Sequence, residues 1–133
     1  MINLADAAVL AKEWAINVGK MQKEKLKKES FKVETKSTLT DLVTEIDLLS
    51  EDMIRAKIEK SYPEHNIMGE ESDFADKKSK YTWVIDPLDG TNNYASSYPI
   101  YCVSIALKYE NEVVLGVIYI PELDEVYLSL IHI

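Results

Sequence analysis

The chain carries a single cysteine, Cys102, among 133 residues. That excludes an intrachain disulfide and any cysteine-based metal cage. No apolar run approaches the roughly 20 residues that cross a bilayer as a helix. Charge begins within the first six residues, so a secretory apolar core is missing and a cytoplasmic location is expected by default. Positive charge is in deficit, with 15 Lys and Arg against 23 Asp and Glu, a net charge of −8. Such a balance disfavours nucleic acid and anionic membrane as main partners. There is no internal repeat and no low-complexity segment. What is present, 47% hydrophobic and 29% charged residues, fits one globular domain with a modest core.

Periodicity places the elements. Leu4, Ala7, Ala8, Ala11, Trp14, Ala15 and Val18 keep helical spacing, which predicts a helix over residues 3–29. Its charged end, from Lys20 on, reads as a solvated helix end, because Glu24 and Glu29 interrupt the positive charge. A short strand is expected over 31–35 and a polar loop over 37–40. A second helix is expected over 44–61, with Thr44 and Asp47 as a capping box and Ile46, Leu49, Met53, Ile54 and Ile58 as its buried stripe. Pro63 lies just past its end. Residues 66–68 read as a strand leading to Glu70, and 72–80 as a mobile charged loop. Val103, Ile105 and Leu107 alternate with smaller residues, a strand with one bulky face. Residues 113–120 form its partner, with Gly116 inside, and a third strand starts at 125–127. The expected fold class is α+β: two N-terminal helices packed on an antiparallel meander.

The most informative stretch is 83–94. Trp83, Val84 and Ile85 form an apolar run that delivers Asp86 to Pro87. Proline fixes its own φ and keeps the preceding residue extended. Asp89, Gly90 and Thr91 follow. Two carboxylates on one stiff turn repel each other, and a divalent cation relieves the repulsion. Gly90 permits close backbone approach to a ligand, and Thr91 is placed to cap a helix whose N–H groups face an anion. The other reading is an ordinary Asp-Pro turn with an Asx hydrogen bond. Cation plus anion cradle suggests phosphate chemistry. By themselves Glu70 and Glu71 read as surface acids. Asp47, read in a first helical turn, is favoured there by the helix dipole in any case.

Asp86-Pro87-Leu88-Asp89-Gly90-Thr91 resembles the D-P-[IL]-D-G-T signature of the inositol monophosphatase family, lithium-sensitive, magnesium-dependent phosphatases. Gly69-Glu70-Glu71-Ser72 resembles the family's acidic pair. Asp41-Leu42-Val43-Thr44-Glu45-Ile46-Asp47 is similar to its D-x-V-T-x-x-D segment, with Lys36 upstream. The three occur in the family's order. The later W-D-x-A-A-G segment, which supplies another metal-binding Asp, has no counterpart.

The resemblance implies a layered helix/sheet sandwich of the inositol monophosphatase and sugar phosphatase type, here truncated. It implies Mg²⁺ as cofactor, with Glu70, Asp86, Asp89 and the Leu88 carbonyl as ligands. Glu70, Thr91 and Asp47 would be catalytic, the Thr91 hydroxyl pairing with Asp47 and orienting the attacking water. Asp89, Gly90 and Thr91 would hold the phosphate. Asp41, Lys36 and Glu71 would support the site or a third metal, with solvated surface roles as the alternative. The implied reaction is hydrolysis of a phosphate monoester, with two cations about 3.5–4 Å apart clamping the attacking and leaving oxygens. Inositol monophosphate is the expected substrate, a small phosphorylated polyol or sugar. Fructose 1,6-bisphosphate and 3′-phosphoadenosine 5′-phosphate are alternatives within the family, and dimers occur there. A different class of reading is an inactive, truncated metal-binding fragment. Finally, Leu128-Ser129-Leu130-Ile131-His132-Ile133 is what CTG-TCT-CTT-ATA-CAC-ATC encodes, the end sequence of transposase-based library adapters. The expected division is therefore residues 1–127 as the N-terminal part of the domain and 128–133 as a non-native tail, with no catalytic role for His132.

Overall fold

A computed structural model describes residues 2–29, 36–70, 73–96 and 98–131, without the side chains of 29 and 36–44. The strand expected over 31–35, Glu71 and His132 lie outside the described residues.

Helix α1 spans Leu4–Glu29. Asn3 starts it, its Oδ1 accepting the Asp6 N–H at 3.1 Å. Ala7, Ala11 and Ala15 are fully buried. Small side chains at these positions let the helix axis approach a sheet closely, while Trp14 and Val18 fill the flanks. Trp14 meets Trp83 edge-on, ring centroids 5.4 Å apart. The charged end is solvated as expected at its lysines, but the buried stripe does not stop at Val18. It continues one turn at a time through Gln22 and Leu26, both buried.

Helix α2 spans Lys36–Ser61, eight residues longer at its start than the sequence reading. The expected loop over 37–40 is helical, so Thr44 is not an N-cap and Asp47 does not sit in a first turn. The apolar positions Leu39, Leu42, Val43 and Ile46 already keep i, i+3, i+4, i+7 spacing, a pattern the intervening Ser and Thr residues disguise. Ile46, Ile54 and Ile58 are buried as expected, Met53 is partly buried, and Leu49 is exposed.

The sheet has five strands in chain order: β1 (Asn66–Gly69), β2 (Tyr81–Asp89), β3 (Cys102–Tyr109), β4 (Glu112–Ile120) and β5 (Glu125–Leu130). Strands β2 to β5 form the expected antiparallel meander. Strand β1 joins its edge in parallel with β2, so the sheet is mixed. One face, with Trp83, Ile85, Val103, Ile105, Leu107, Leu115, Val117 and Tyr119, is buried, and both long helices supply core residues to it. The other face carries the small residues of β3 with Gly116, Ile118 and Tyr127, and is largely open.

The segment 73–80 is pinned rather than loose. Ala75 bridges Ile67, and Arg55 donates to the Asp73 carbonyl at 3.0 Å. The buried Asn66 side chain accepts from the N–H groups of Lys77 and Ser79 and donates to Ser79 O and Thr82 Oγ1. Among the described residues, no helix is long and apolar enough to cross a membrane.

Candidate active site

The parallel pairing of β1 with β2 builds the site. Gly69 stands beside Ile85, so the next residue of each strand, Glu70 and Asp86, meet at the carboxyl ends of the pair. Their side chains share a hydrogen bond. Gly69 is required for space: a Cβ there would collide with the carboxylate of Glu51. Glu51 is fully buried and paired with Arg55 at 3.3 Å.

The stiff turn expected after Asp86 is a bulge within β2. Asp86 pairs with Ser104 and Asp89 with Cys102, so Pro87 and Leu88 together stand opposite Val103 alone. A bulge tolerates proline because the N–H it lacks has no ladder partner to miss, and it re-aims the side chains on either side. Leu88 turns into a small core with Leu26, Ile46, Tyr94 and Tyr101. The two aspartates flank it.

Asp86 is the electrostatic centre. Its Oδ1 is buried with no hydrogen-bond partner among the described residues. Burial, then the hydrogen bond and charge of Glu70, then the charges of Asp89 and Asp47 push its carboxyl up to about 7. Asp47 thus faces the site from the middle of α2. The helix dipole, confined to the first turn, does not explain it there.

Gly90 adopts φ 90° and is itself the N-cap of the short helix α3 (Thr91–Ala95). The expected threonine cap is absent: the Thr91 hydroxyl donates to the Leu88 carbonyl at 3.2 Å. That commits its one proton, and pairing with Asp47 requires the hydroxyl to rotate. A Cβ on Gly90 would lie 2.9 Å from the Ile100 carbonyl, so chain packing as well as conformation demands glycine here. A cleft of about 270 Å³ opens beside Asp89 and Gly90, walled by Asn93, Ile100, Tyr101 and Cys102. Cys102 faces this cleft rather than the core, because strand alternation gives the core position to Val103. Burial and the nearby Asp89 and Asp86 push its thiol up to about 11.

Of the expected residues, Glu70, Asp86, Leu88, Asp89, Gly90, Thr91 and Asp47 come together around the bulge. Lys36 and Asp41 lie on the first turns of α2, whose side chains there are not described. Among the described residues, no three acidic, imidazole or thiol groups stand as a ready metal cage. The donor chemistry nevertheless fits a hard cation. A buried carboxylate oxygen lacks any donor, and three further carboxylates bear on it.

The sequence reading missed Gln22, which is fully buried and donates to the Pro87 carbonyl at 2.6 Å. Its signal was a polar residue on the stripe, four places after Val18 and four before Leu26.

The pattern of the inositol monophosphatase family matches residues 3–131. A protein of Aquifex aeolicus named fructose-1,6-bisphosphatase/inositol-1-monophosphatase is 38% identical over 130 residues, covering 96% of this chain and 48% of that protein. The Nus factor SuhB of Pasteurella multocida is 41% identical over 104 residues, 77% of this chain and 39% of that one. The structure of an inositol monophosphatase from Anabaena (Nostoc) sp. PCC 7120 superposes with a TM-score of 0.76 at 34% identity, over 97% of this chain and 45% of that chain. The chain thus spans about half the length of the curated relatives it matches, and from Asn3 to Ile131 it belongs to the inositol monophosphatase family.

Proposed function

We propose that this chain forms the metal-binding half of a Mg²⁺-dependent phosphate monoester hydrolase. The observation that carries the reading is the orphaned Asp86 oxygen, buried in a corner of four carboxylates. Glu70, Asp86, Asp89 and the Leu88 carbonyl would hold the cation. Bound there, Mg²⁺ would supply Lewis-acid stabilisation of phosphate charge and a more acidic water. Glu70 and Thr91 would orient that water, and Asp47 would back the threonine. The N–H groups of Gly90 and Thr91 would receive the phosphate, beside the cleft. With no protein nucleophile needed, Cys102 is a bystander.

Inositol monophosphate is the substrate we favour, because relatives carry that activity in their names. Fructose 1,6-bisphosphate is the variant that the Aquifex aeolicus name adds. The second reading is a metal-binding or interaction module without turnover. It draws on the relative named a Nus factor.

The test is phosphate release with and without Mg²⁺ from a panel of these esters. It uses this chain and the protein encoded at the genomic locus, its DNA read independently from codon 120 onward. Release by the locus protein, abolished by Glu70→Gln or Asp89→Asn, is the expected outcome. Near-normal kcat in those variants at saturating Mg²⁺ removes both residues from the mechanism. A natural stop after Ile133, with no release, gives the second reading.

A further inference from the structure

We infer that Gln22 is a positioning residue for the acidic bulge: helix α1 sets the shape in which Asp86, Leu88 and Asp89 present their oxygens. The inference rests on the metal-site reading and adds to it a residue far from the motifs.

Three contacts carry it. The Gln22 amide nitrogen donates to the Pro87 carbonyl at 2.6 Å, 65 positions along the chain, and to Ser50 Oγ at 3.0 Å. The Gln22 main-chain carbonyl accepts the Tyr94 hydroxyl at 2.9 Å. One residue of α1 thus ties down both flanks of the Leu88-Asp89-Gly90-Thr91 arc. The bulge needs such a tie, since two of its residues stand opposite one on β3. With the Pro87 carbonyl drawn toward α1, the next carbonyl, that of Leu88, is left to the α3 side, where the Thr91 hydroxyl meets it.

The chemistry of the amide separates positioning from packing. Pro87 O accepts only, so the amide must turn its nitrogen to it. Its own Oε1 is then buried with no partner. An apolar side chain of similar length would remove that orphan but leave the buried Pro87 carbonyl without its donor, exchanging one unpaired acceptor for another. Glutamine is what the Pro87 carbonyl requires.

The experiment uses the 133-residue chain and Gln22→Met, which preserves length and removes the donor. Mn²⁺ serves as the probe, titrated by electron paramagnetic resonance of the free ion, with metal-free thermal melting alongside. The expected result is a fold retained, with a Tm near the parent's, and a Mn²⁺ affinity lowered by about tenfold, the size of effect that groups orienting metal ligands have. Equal Mn²⁺ affinity in the variant, with the parent binding, overturns the positioning role alone. A variant that unfolds, or loses affinity only in proportion to lost fold, assigns Gln22 to the core and also overturns it. A parent chain that binds no Mn²⁺ overturns the metal reading itself, and the inference with it.

Discussion

Gly19 shows how much a single absent methyl group can carry. The Tyr119 ring and Pro121 pack directly onto α1 at this point, and a Cβ would stand 2.4 Å from Tyr119 Cδ2 and 2.8 Å from Pro121. Gly19→Ala gains about 1 kcal/mol of intrinsic helix preference. It also forces a buried ring to shift, at a cost of about 1–3 kcal/mol. We expect net destabilisation in urea unfolding, against the helix scale. His65 gives the chain a pH signature. It accepts the Trp83 indole N–H at Nδ1, 3.0 Å away, and is stacked between Tyr62 and Tyr81. Burial lowers its pKa below the ordinary 6.5, with Glu64 opposing and Lys77 reinforcing. The folded state thus prefers neutral imidazole, and between the folded and unfolded values the unfolded chain binds more protons. This contribution is present above about pH 6.5 and is lost as pH falls through the folded value. The fall in Tm between pH 7.5 and 5.5 should therefore be smaller in His65→Gln; an identical fall removes His65 from the pH response.

At the scale of elements, one side chain makes three of the hydrogen bonds that hold the segment 73–80. Asn66 uses both its amide nitrogen and its oxygen on the segment, and Lys77 adds bonds to Glu59 and the Pro63 carbonyl. Asn66→Ala leaves two N–H groups without their acceptor, a loss of about 1–3 kcal/mol. Faster amide exchange at Lys77 and Ser79 than elsewhere in the sheet is the expected readout. The hold of Asn66 on this segment was not legible in the sequence, where six of its eight residues are polar or charged and read as solvated. Helix α1 and strands β3 and β4 were legible, because their apolar positions recur at 3.6 or 2 residues. The acids of the candidate site stood out in the sequence as well, since Asp-Pro-Leu-Asp-Gly-Thr sets two carboxylates about a proline turn. What they rest on did not. The parallel partnership of β1 with β2, the bulge at Pro87 and the Gln22 tie depend on pairings 16 to 65 positions apart, and periodicity carries no information about register between distant segments. The start of α2 was missed for a local reason, Ser and Thr masking an apolar spacing already in place.

For the whole molecule, charge and coverage belong together. A net charge of −8 repels a phosphate ester, and Asp86 with the three carboxylates around it concentrates that repulsion where the proposed substrate must sit. Bound cations reverse the local sign, so cation binding and ester binding should be strongly linked. The open sheet face, with Ile118 41% and Tyr127 55% exposed, shows that the chain buries its core on one side of the sheet only. The edge strand β5 adds Leu128 and Leu130, also exposed, a combination prone to edge-to-edge association. Order of synthesis follows from the contact between Gly19 and Tyr119. Helix α1 is synthesised about a hundred residues before the ring that covers it. At about 5–20 residues per second, its alanine and tryptophan stripe waits roughly 5–20 s for that cover. During that interval it is an exposed apolar helix of the kind chaperones hold, so the nascent chain depends on its surroundings before it can depend on its own sheet.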